Sequence, residues 1–101
     1  MNPVAHYLHA TILQEQGEFA AAASALKRAL YLDGDFVLAH FALGNLARQQ
    51  DKLKEAQKHF ENTLCLLRTY TPEDTLPESD GLSAGRLQAI IMSMLPDGST
   101  P

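Results

Sequence analysis

In Ala5-His6-Tyr7-Leu8-His9-Ala10, the residues Ala5, His6, Tyr7 and Ala10 return 34 residues later as Ala39, His40, Phe41 and Gly44. The same offset places Phe19 on Leu53, Ala22 on Ala56, Leu26 on Phe60, Leu30 on Leu64 and Leu32 on Leu66. Small residues fall on small ones and large apolar residues on large ones, so the two stretches share a packing plan. Apolar positions recur at helical spacing in both. A unit of this length is one helix-turn-helix, which buries its apolar face by stacking on a neighbour. The expected fold is therefore all-α.

The boundaries follow from local chemistry. Asn2 is expected to cap the first helix, with Pro3 at the first helical position, where its missing N–H costs nothing. An apolar stripe runs through Ala5, Leu8, Ile12 and Leu13, and Gly17 supplies the left-handed stop. The second helix is expected over about 19–32, with Ala22, Ala25, Leu26, Ala29 and Leu30 facing its partner. Its alanines favour helix and let backbones approach closely. Asp33-Gly34-Asp35 breaks the chain, and Asp35 is expected to cap the third helix, over about 36–50. That helix buries Ala39, Leu43 and Leu46, with Gly44 at a close crossing. The fourth, over about 52–68, is expected to bury Leu53, Ala56, Phe60 and Leu64.

Beyond Tyr70 the periodicity stops. Thr71-Pro72-Glu73-Asp74 suits a short capped turn, Pro77 blocks a long helix, and Asp80-Gly81 reverses the chain. Ser83 should then cap a last helix over 83–95 that packs Leu87, Ile90, Ile91 and Met94 on the second repeat. The division is thus 1–68 for two repeats (3–34 and 37–68), 69–82 for a linker, 83–95 for a capping helix and 96–101 for a frayed tail. The linker acids Glu73, Asp74, Glu78 and Asp80 are expected to be solvated, or else to meet a basic partner. Two repeats are fewer than such stacks usually need, so the last helix must add to the core. The outer face of the first helix is left for a preceding repeat or a second copy of the chain.

Charge narrows the function. Residues 1–70 carry seven Lys or Arg against seven Asp or Glu, and the net −4 arises in residues 71–101, where five acids face Arg86 alone. No basic stripe tracks phosphates, which argues against nucleic acid. No apolar run approaches the ~20 residues of a membrane span. The single cysteine, Cys65, excludes an internal disulfide and suits a reducing, cytoplasmic setting. It lies among Leu64, Leu66 and Leu67 and is expected to be a buried thiol. His6 and His9 stand three apart on one helix, yet no acid or thiol lies at ligand spacing. A packing or surface role is expected for them, with His59 partly exposed. Neither a nucleophile motif nor a phosphate-binding glycine loop is present. No catalytic residue, metal or cofactor is expected in this chain.

The period, together with Leu43-Gly44, Ala56 and Phe60, resembles the tetratricopeptide (TPR) repeat. The resemblance implies a short right-handed α-solenoid whose concave groove, lined by the first helix of each repeat, receives a protein or peptide. The repeat register then turns Val4, Tyr7, Thr11, Gln14, Leu38, Phe41, Asn45 and Arg48 inward. Tyr7, Thr11, Gln14, Phe41, Asn45 and Arg48 are the candidate partner-binding residues: aromatics give contact area, Asn45 can pair with a peptide backbone, and Arg48 can hold a carboxylate. Tyr7 and Phe41 could equally serve only to pack the repeats. They also stand where chaperone-tail-binding TPR proteins carry a clamp lysine, so that clamp looks absent.

The tail Pro77-Glu78-Ser79-Asp80-Gly81-Leu82-Ser83-Ala84-Gly85-Arg86-Leu87 resembles the segment that ends the TPR extensions of CheR-type chemotaxis methyltransferases. Ala29-Leu30-Tyr31-Leu32-Asp33 and the Phe36–Asn45 stretch look like the same proteins. This resemblance implies the C-terminal targeting or regulatory part of a chemoreceptor glutamate methyltransferase, with Met1 falling inside a longer array. S-adenosylmethionine is implied only for a catalytic domain that this sequence does not contain. Implied partners are a chemoreceptor, a chemosensory signalling protein or the enzyme's own catalytic domain. A free-standing TPR adaptor, or a self-associating module using the first helix, remains open.

Overall fold

The Asn2 carboxamide accepts a hydrogen bond from Val4 N at 3.0 Å and starts α1 (Pro3–Glu15), with Pro3 in the first turn. The computed structural model describes residues 2–95, so the tail expected over 96–101 lies outside the described residues. The other helices are α2 (Phe19–Leu32), α3 (Val37–Gln49), α4 (Leu53–Leu67) and α5 (Ala84–Met94). α1 packs on α2 and α3 on α4 as hairpins, α2 joins the hairpins by packing on α3, and α5 packs on α4. The result is an all-α helical-repeat solenoid.

The two hairpin turns are built alike. Gly17, at φ 79°, ends α1, and Glu18 N donates to Leu13 O at 2.9 Å. In the second repeat Asp51, at φ 61°, does the same for α3, and Lys52 N donates to Ala47 O at 2.8 Å. Both satisfy carbonyls that a helix C-terminus leaves open.

The core runs along the stack. Ala22, Ala25, Leu26 and Ala29 of α2 are buried, as are Ala39, Leu43 and Leu46 of α3. Gly44 meets the ring of buried Phe60, where an added Cβ would come within 2.5 Å of Cε1. From the last helix Leu87 and Ile91 enter the core. Ser83 caps α5, its hydroxyl accepting from Arg86 N at 3.2 Å.

Several expectations fail for one reason: helical spacing marks a stripe without saying which neighbour covers it. Leu53 is 61% exposed because it opens α4, ahead of the turns that α3 covers. Ile90, next to Leu87 at the edge of the buried stripe of α5, is left exposed. Cys65 is exposed, its helix burying Thr63 and Leu67 instead. On α1, Ala5, Leu8 and Ile12 face outward, while Ala10 is buried and Val4, Tyr7 and Leu13 pack against the core. Asp35 caps nothing; its N–H donates to the Asp33 carboxylate at 3.1 Å, and Phe36 holds the capping position with no side-chain bond.

The stretch expected as a solvated linker is an ordered lobe. Leu76 is buried and bonds across the loop, its N–H donating to Leu82 O at 2.8 Å. Ala84 N donates to Asp74 O at 2.8 Å and Gly85 N to Pro72 O at 3.0 Å, tying the lobe to the start of α5. Thr71 and Asp74 close a capped turn, with Thr71 N donating to the Asp74 carboxylate at 2.9 Å.

Candidate partner-binding surface

Tyr7 rises from the second turn of α1 and meets Phe36, at the entry to α3, with ring centroids 5.2 Å apart. It therefore packs between repeats, yet stays only half-buried. Its hydroxyl ionises above the usual 10.0, first because burial disfavours the phenolate and then because the carboxylates of Asp80 and Glu78 lie near it. The acidic part of the lobe thus stands beside the face that α1 and α3 share.

The remaining candidates divide. Thr11 is exposed, but its hydroxyl donates to Tyr7 O at 3.1 Å within its own helix. Gln14 and Asn45 are half-buried. Phe41 packs on Phe60 with centroids 5.8 Å apart, inside the second repeat. Leu38 is buried and lost to any partner. Arg48 is exposed over a cavity of about 60 Å³ whose walls include Leu53, Phe60, Met94 and Leu95. Tyr7 and Arg48 therefore do not share one depression.

Sequence reasoning missed a second feature. The N-termini of α1 and α3 and the lobe enclose a depression of about 240 Å³. Pro3, Val4, Phe36, Val37, Tyr70 and Pro77 give its apolar wall, and Asp33, Asp35 and Glu78 its rim. Read as a linker, residues 69–82 had no reason to form one wall of a site. The available signal was Leu76 and Leu82 bracketing Pro77-Glu78-Ser79-Asp80-Gly81, an apolar pair able to close a loop.

The histidines are spread over several environments. His40 Nε2 lies 3.0 Å from Gly34 O, while its buried Nδ1 has no partner among the described residues, and the same holds for His59 Nδ1. His6 sits in an open apolar depression with Lys27, Arg28, Tyr31 and Leu32. Among the described residues, no three His, Cys, Asp or Glu side chains come together to hold a metal. None of the described helices is long and apolar enough to cross a membrane.

Two stacked helical hairpins, a fifth helix packed on the second of them and a surface depression define a helical-repeat domain of the recognition class. The family model of the tetratricopeptide repeat matches residues 3–36, which hold α1, its turn and α2. Residues 37–68 repeat that geometry turn for turn. TPR repeats bind proteins and peptides, so the match makes protein interaction the class of function. No curated protein and no solved structure matches the chain.

Proposed function

We propose that this chain is a cytoplasmic TPR recognition module, and that it is the targeting or regulatory part of a chemoreceptor glutamate methyltransferase. One observation carries the finer reading. The Pro77–Leu87 stretch, whose sequence resembles the end of the TPR extension in those enzymes, folds onto the second repeat through the lobe and α5. Leu76 and Leu87 anchor it, Ser83 caps its helix, and it walls the depression beside Tyr7. A stretch of that sequence packed on the repeats and bordering the depression supports the likeness to those TPR extensions. Any S-adenosylmethionine would belong to the catalytic domain that the resemblance implies, and no residue of this chain is assigned to it.

The test is affinity capture from the native cell extract. The bait is this chain, and the control is Asn45→Ala/Arg48→Ala with its helical content checked by circular dichroism. Phe41 is left intact because its ring supports Phe60. Recovery of receptors, coupling proteins or response regulators by the parent bait above the control is the expected result. Recovery of chaperones or unrelated proteins alone would remove the methyltransferase assignment and leave a TPR adaptor.

One observation favours a second reading, self-association. Leu8 and Ile12 are each 53% exposed on the outer face of α1. In the second repeat the position equivalent to Ile12 is Leu46, which is 2% exposed in the stack where α2 packs on α3. An open face at this repeat position supports its being covered by a second copy of the chain. Sedimentation that shows a dimer for the parent and a folded monomer for Leu8→Glu/Ile12→Glu supports this reading; a monomer at all concentrations rules it out.

A further inference from the structure

The 240 Å³ depression combines two chemistries that one kind of side chain satisfies together. Its wall near the start of α1 is apolar, from Pro3, Val4 and Phe36, and Tyr70 adds an aromatic surface. Its rim carries the carboxylates of Asp33, Asp35 and Glu78, and no Lys, Arg or His lines it. Among the described residues none of these acids is in an ion pair. The Asp80 carboxylate lies close enough to Tyr7, one turn along α1, to act on its hydroxyl.

The lobe carries Glu78 and Asp80. Glu78 and Asp80 have φ 62° and 55°, a left-handed conformation that residues with a side chain adopt uncommonly. Leu82 N donates to Ser79 Oγ at 3.0 Å, and the buried Leu76 pins the loop from below. Glu78 is consequently presented by a fixed backbone.

We propose that this depression docks a partner segment that sets an Arg or Lys side chain beside an apolar residue. The methylene stem lies along Pro3, Val4 and Phe36, as long basic side chains do on apolar surface. The cationic head reaches Glu78 and Asp35, with the rings of Tyr70 and Tyr7 nearby to attract it further. The neighbouring apolar residue fills the rest of the wall. Arg is the better match, since its planar head bonds a carboxylate through two N–H groups. A segment with an acidic residue here meets only like charge. This inference rests on the recognition reading above and gives the partner its chemistry.

The experiment is selection of a displayed random peptide library on the full chain, followed by titration of the enriched peptides as soluble, labelled probes. Enrichment of Arg or Lys next to an apolar residue is expected. Binding of those peptides should weaken by about tenfold or more in Glu78→Gln/Asp35→Asn, which removes the charge-assisted contacts to both carboxylates. It should also weaken between ~50 and ~300 mM salt. Glu15→Gln/Glu18→Gln makes the same change of net charge away from the depression, and should bind as the parent does. Equal losses in both variants would mean bulk attraction to an acidic chain and overturn the proposal. Enriched peptides without a basic residue, or basic peptides indifferent to Glu78→Gln/Asp35→Asn, would overturn it while leaving peptide recognition standing. Failure to enrich any peptide would remove both.

Discussion

The two repeats share a backbone and differ in what fills it. Gln16 N donates to Ile12 O and Gln50 N to Leu46 O, both at 3.1 Å, and the Gly17 and Asp51 turns match bond for bond. Inside the hairpins, Ala10 and Leu26 of the first repeat are replaced by Gly44 and Phe60 in the second, all of them buried. Outside, the α3 face lies under α2 while the equivalent α1 face is open. Local residues thus decide how each hairpin closes, whereas burial is decided by the neighbour in the stack. In the second repeat the larger Phe60 is met by the smaller Gly44 on the facing helix, and the repeat register sets Ala10 against Leu26 in the first.

Breaking that pairing gives the largest expected effect. Gly44→Ala would drive a Cβ to within 2.5 Å of the Phe60 ring, which is itself 2% exposed and cannot swing clear. Overpacking of this kind costs about 1–3 kcal/mol, measured as a lower midpoint in urea. Gly44→Ala/Phe60→Leu restores the Ala–Leu pair of the first repeat and should recover much of the loss. A double-mutant cycle with no coupling would show that the two pairs are not equivalent.

The turns sharpen the comparison at smaller scale. Asp51 holds a conformation that Gly17 adopts freely, and a left-handed residue with a side chain costs roughly 1 kcal/mol. Asp51→Gly should therefore stabilise the fold by up to about 1 kcal/mol, less the extra entropy of an unfolded glycine. Gly17→Ala should destabilise it by a similar amount, since no contact stands in the way and the φ of 79° alone is strained. Thermal midpoints that move the same way in both variants would contradict this account.

Much of the fold could be read from the chain because the repeat carries its own control. Ala22, Ala25, Leu26 and Ala29, or Ala39, Leu43 and Leu46, are set by period and side-chain size, and all are buried. Leu53, Ile90 and Cys65 were misplaced because an apolar residue at a helix end or on an outer face looks the same in a periodic pattern. The site was less legible. Tyr7 and Phe41 were expected as equivalents, yet Tyr7 reaches across to Phe36 and Phe41 stays with its own Phe60. The depression was invisible since its wall joins Pro3 and Phe36 to Tyr70 and Pro77, residues brought together only when the lobe folds back. No local pattern encodes such a meeting.

The smallest effect concerns a histidine that only the second repeat possesses. His59 is equivalent to Ala25, a buried alanine, and its Nδ1 is buried without a partner among the described residues. Its ionisation is pushed below the usual 6.5, first by burial, then by His40; Glu55 opposes this, while Lys58 and Lys27 add to it. An unfolded chain therefore takes up this proton at higher pH than the folded one does. Stability from the neutral ring is intact above 6.5 and is lost as pH falls through the lower, folded-state value. Urea midpoints between about pH 7.5 and 5.5 should consequently fall more for the parent than for His59→Ala, which copies the first repeat. The comparison is of slopes, so the volume lost with the imidazole does not enter it. Parallel slopes would mean that His59 takes its proton as readily in the fold as outside it, and that the second repeat carries no acid sensitivity of its own.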